Sequence, residues 1–72
     1  MKVIKTYLVK ADIAHNFLHQ EITVLPGRLT ELYQCEELKW YIRKVGGIEE
    51  ISGNLALQII EGSKAKKQVS LN

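Results

Sequence analysis

Stepped as a helix at about 100° per residue, residues 30–45 gather Leu38, Tyr41, Ile42 and Val45 into one apolar stripe, with Leu32 and Cys35 at its edge. Trp40 falls nearly opposite. It stands beside Tyr33, seven residues earlier, and among Glu36, Glu37, Arg43 and Lys44. The pattern predicts an amphipathic helix with its stripe on a core and an aromatic pair on the opposite side, either a partner surface or covered by residues 26–29, residues 48–53 or the tail. Thr30 is placed as N-cap and Glu31 in the first turn, where the helix dipole favours an acid. Arg43 and Lys44 fall in the last turn, and Gly46-Gly47 stops the helix.

Three other segments predict strands. Residues 2–10 carry Val3, Ile4, Tyr7, Leu8 and Val9, a β-branched and aromatic enrichment with apolar residues at both parities. That suits a strand in the middle of a sheet. Residues 17–25 alternate, with Leu18, Ile22 and Val24 opposed to His19, Glu21 and Thr23. Residues 54–61 alternate too, with Leu55, Leu57 and Ile59 on one face. A turn around Asp12–Asn16 joins the first two strands, and Pro26-Gly27 ends the second. Residues 48–51 are a candidate short extra strand.

The expected fold is therefore α+β: a small antiparallel sheet of three to four strands with one helix packed on a face, in the order ββαβ. The rival order is βαββαβ, a ferredoxin-like layout. It places a short helix at residues 12–18 and a hairpin around Pro26-Gly27. Both versions keep the helix at 30–45.

Length and charge then narrow the function. Seventy-two residues make one domain, and a chain so short buries only about 60% of its unfolded surface. The single cysteine, Cys35, excludes an internal disulfide, so a partner subunit is the expected aid and a homodimer the expected state. No apolar run approaches the ~18–20 residues that span a bilayer. The opening Met1–Lys5 is charged too early for a signal peptide, so the expectation is a cytoplasmic protein with no membrane partner.

The net charge is +2, unevenly placed. Residues 1–61, the expected domain, hold seven Lys or Arg against eight Asp or Glu. The lysine-rich segment 62–72, read as a flexible tail, holds Lys64, Lys66 and Lys67 and no acid. The basic character belongs to the tail, which argues against a domain built around a phosphate-binding face.

Candidate chemistry is sparse. His15 and His19 are four apart, a spacing that suits zinc, but nothing fixes a third ligand among Asp12, Glu21 and Cys35. Cys35 reads as a small core residue. No glycine pattern cradles phosphate. The expectation is no enzyme and no cofactor or metal. The function predicted is a small binding or modulator protein that docks on another protein through Tyr33, Glu36, Trp40, Arg43 and Lys44. The alternative is a nucleic-acid-binding regulator that uses Lys64, Lys66 and Lys67 on phosphates.

Overall fold

A computed structural model of the chain describes residues 2–64 and 67–69. The elements in order are β1 (Val3–Lys10), α1 (Ala11–Leu18), β2 (Leu29–Cys35), a 3-10 turn (Glu36–Leu38), β3 (Lys39–Lys44), β4 (Gly47–Ile51), α2 (Gly53–Ser63) and β5 (Lys67–Val69). The strands form one sheet in the order β4-β3-β2-β1-β5, and every pair is antiparallel. The α+β class, the antiparallel sheet and a helix on a sheet face are all present as expected. β1 lies inside the sheet, paired with β2 on one side and β5 on the other.

Residues 30–45 are not a helix. They are the β2–β3 hairpin, with Leu32 opposite Ile42 and Gln34 opposite Trp40. The reason is parity. Thr30, Leu32, Trp40 and Ile42 are all buried and all even-numbered, which is the period of a strand. The four-residue stripe with helical spacing was a coincidence of that alternation with a tight turn.

Residues 54–61 are not a strand but most of α2. Leu55, Ala56, Ile59 and Ile60 follow i, i+1, i+4 and i+5, and Ala56 and Ile59 are fully buried. Ser52 caps the helix, its Oγ accepting the Leu55 N–H at 3.1 Å. Leucine, alanine and glutamine are also good helix formers. Residues 11–18 form α1, as in the rival layout, but its N-cap is Lys10, with no side-chain cap. The predicted tail from Gly62 starts inside α2: Ser63 is buried and its Oγ accepts the Lys10 N–H at 3.1 Å.

The core lies between one sheet face and the two helices. Val9, Leu32, Trp40, Ile42 and Ile51 point from the strands towards Ala11 and Ala14 of α1 and Ala56 and Ile59 of α2. The two helices touch where Gly62 faces Ile13; a Cβ there would come 3.2 Å from Ile13 Cγ2. Among the described residues, no helix is long and apolar enough to cross a membrane.

Candidate functional site

Because strand side chains alternate, burying one face of the sheet leaves the other to present the opposite parity. Both helices pack on the face of Val9 and Leu32, so among the described residues no element covers the other face. Two rows of side chains cross it. The first runs Leu8, Glu31, Arg43, Ile48 and the second Thr6, Tyr33, Tyr41, Glu50. Ile48 is 43% exposed. Lys39 stands opposite Cys35 at the end of β2 and β3.

The middle of the first row is an ion pair. Arg43 Nη1 lies 3.0 Å from Glu31 Oε1. The same oxygen accepts the Tyr33 hydroxyl at 2.6 Å. Burial first, and then the Glu31 carboxylate, push the Tyr33 hydroxyl up to about 12. The hydrogen bond to Glu31 in turn holds the proton on Arg43. One carboxylate oxygen thus fixes two long side chains across neighbouring strands, and ordered groups cost less to immobilise in a complex.

Two of the five residues selected as a docking set, Tyr33 and Arg43, therefore share this bare face. The others lie elsewhere. Trp40 is 7% exposed and part of the core, its ring centroid 5.8 Å from that of Tyr7. Glu36 sits in the turn after β2, 4.0 Å from Lys2 Nζ. Lys44 faces the helix side of the sheet and binds Glu49 Oε1 at 3.0 Å and Gln20 Oε1 at 3.4 Å. Of the tail lysines, Lys64 is the exposed C-cap of α2, Lys67 begins β5, and Lys66 lies outside the described residues. The sequence reading missed Leu8, Tyr41 and Ile48. Their shared parity with Tyr33 and Arg43 across paired strands was the signal available.

Lys44, Gln20 and Glu49 form a latch instead of a docking rim. Gln20 Nε2 donates to Glu49 Oε2 at 3.0 Å, which ties the segment after α1 to the β3–β4 hairpin. Lys44 first and Gln20 second hold the Glu49 carboxyl below its ordinary value. Its contribution is therefore present above the ordinary carboxylate range and is lost as pH falls through the lowered value. Protection of the amides at residues 20–22, taken relative to their intrinsic exchange rates, is expected to fall on that acid side, and Glu49→Gln to remove that pH dependence of the protection. An acid profile unaltered by Glu49→Gln would refute the latch.

The other candidate groups stay apart. His15 is exposed on α1, with Nδ1 2.7 Å from the Gln20 carbonyl, and His19 is the left-handed C-cap of that helix. Cys35 is buried, and burial pushes its thiol up, away from the reactive thiolate. Among the described residues, no three of His, Cys, Asp and Glu converge on a metal position. In comparisons with known proteins, no family model, no curated protein and no solved structure matches this chain.

Proposed function

We propose that the protein is a small non-enzymatic docking protein whose working surface is the bare sheet face, and that it pairs there with a second copy of itself. The observation that carries this reading is the placement of both helices on one side. It leaves Leu8, Tyr33, Tyr41 and Ile48 on the other. Tyrosine and arginine are the side chains that anchor interfaces, because they bring large area or several donors at low entropic cost. The face also carries both signs of charge, with Lys39 and Arg43 against Glu31 and Glu50. A two-fold pairing sets such a surface against its own copy, so opposite signs can meet. A thin core gains from that extra burial.

Sedimentation equilibrium tests this. The wild type is expected to dimerise. Tyr41→Glu, which sets a carboxylate opposite Glu50, is expected to weaken the dimer at least roughly tenfold, about 1.4 kcal/mol. The circular dichroism of the variant should stay unchanged. A wild type that stays monomeric at millimolar concentration, or a dimer indifferent to Tyr41→Glu, overturns the reading.

A second reading has one observation of its own. Tyr33 and Tyr41 are cross-strand neighbours on a bare antiparallel sheet, with Arg43 and Lys39 beside them. Single-stranded nucleic acid stacks on such aromatic pairs. Glu31 and Glu50 on the same face oppose a phosphate chain, so this reading ranks second. Binding of a labelled single strand that falls steeply with salt and vanishes with Tyr41→Glu would favour it.

A further inference from the structure

The segment between α1 and β2 forms one wall of an open cleft of about 760 Å³. That is within the size range of small-molecule sites. The start of α1 forms the other wall. The apolar lining is Ala11, Ile22, Val24 and Leu29, and Val24 is 62% exposed.

This wall is held at several points. The Ala11 N–H donates to the Arg28 carbonyl at 3.0 Å, and the Val45 N–H to the Glu21 carbonyl at 3.1 Å. The Leu25 N–H donates to the Leu29 carbonyl at 2.7 Å, closing the Pro26-Gly27 turn. The latch at Gln20 adds a fourth tie. A cleft tied this way is preformed, which lowers the entropy lost on binding.

Two cations, Lys10 and Arg28, are among its lining residues. Lys10 pairs with Leu29 in the sheet, and the Arg28 carbonyl is bonded to Ala11, so the two residues are backbone neighbours. Neither side chain has a hydrogen bond or ion pair among the described residues. Arg28 also sits at φ +60, left-handed backbone that glycine would occupy without strain. The fold therefore tolerates a strained residue whose guanidinium it does not use, and such outliers gather at ligand clamps.

We propose that this cleft binds a small organic monocarboxylate with a branched aliphatic body. The carboxylate is held by Arg28 and Lys10, and the body lies on Ile22, Val24 and Leu29. Asp12 and Glu21 line the same cleft and offset the two cations, so its lining is neutral in sum and disfavours a phosphate dianion more than a single carboxylate. Asp12 spends one carboxylate oxygen on the Ile13 N–H at 2.8 Å. The site rests on residues other than the tyrosines of the docking face and stands without that reading.

Amide NMR of the full chain, titrated with isocaproate and with isocaproamide as probes, decides it. Isocaproate is expected to give saturable shifts at residues 11, 22, 24 and 29, with a dissociation constant on the order of 1 mM. The amide should bind at least tenfold more weakly. Arg28→Gly should cost isocaproate at least tenfold while the melting temperature holds or rises, because glycine relieves the turn. Lys10→Gln should also weaken isocaproate in a folded protein. Absence of saturable shifts, equal binding of acid and amide, or full binding by folded Arg28→Gly overturns the proposal.

Discussion

Trp40→Ala is expected to destabilise the protein by about 3–5 kcal/mol, one of the largest losses a single substitution in this chain can cause. The indole is 7% exposed in β3, and its ring packs on Tyr7 at 5.8 Å. Its Nε1 edge lies against Gly53 at the start of α2; a Cβ on Gly53 would come 3.4 Å from it. The side chain thus joins the sheet to the second helix. Removing a buried tryptophan costs about 3–5 kcal/mol, since the cavity left behind closes only in part. At the usual 0.05–0.15 kcal/mol per residue, a chain of this length holds roughly 4–11 kcal/mol in all. The substitution therefore removes between about a quarter and the whole of the stability. Urea unfolding followed by circular dichroism measures it, and a midpoint close to wild type would take Trp40 out of the core. Its fluorescence is a second check, because Trp40 is the only tryptophan. Emission from the folded protein should be blue-shifted and poorly quenched by iodide.

An exposed Trp40 beside Tyr33, one of the two readings the sequence allows, shows what periodicity leaves open. Seven residues bring two side chains to one side of a helix, after two turns. The same seven, an odd number, put them on opposite faces of a strand. Once the segment is a hairpin, Tyr33 goes to the bare face and Trp40 to the core. Arg43 keeps company with Tyr33 by the same parity, which is why two of the five proposed contacts remain together and Trp40 does not.

Other elements were legible where residue type decided between patterns. Val3, Ile4, Tyr7 and Leu8 also fit a helical spacing, but the β-branched and aromatic enrichment of β1 favours the strand. Residues 48–51 were visible as a short strand after the glycine pair. α2 was misread because Leu55, Leu57 and Ile59 alternate while Leu55, Ala56, Ile59 and Ile60 also fit a helix. There the decision lay in Ser52, whose hydroxyl caps the first turn, and in the helix-forming alanine, leucine and glutamine. The bare face was hidden for a different reason. It is made by four strands brought side by side, and pairing between distant segments cannot be read from a local window.

The hairpin itself escaped notice because its turn has the wrong residues for its shape, and that leads to the second large effect. Glu37 and Leu38 stand at φ +64 and +60, so both central positions of the β2–β3 connection are left-handed. Tight hairpins with that geometry normally carry Asn-Gly or Asp-Gly. An L-residue with a full side chain pays roughly 1–2 kcal/mol in that region. Leu38 recovers little through packing, since it is 83% exposed. Glu37→Asn with Leu38→Gly is therefore expected to stabilise the protein by about 1–2 kcal/mol, after allowing for the larger unfolded-state freedom of glycine. For a domain of this size that is a rise in melting temperature of roughly 5–10 °C. Thermal unfolding of the double variant, beside Leu38→Ala as a control for the lost side chain, measures it. Leu38→Ala keeps the left-handed strain and should gain little. If the alanine variant gains as much as Asn-Gly, the cost of this turn lies in the exposed leucine and not in the backbone.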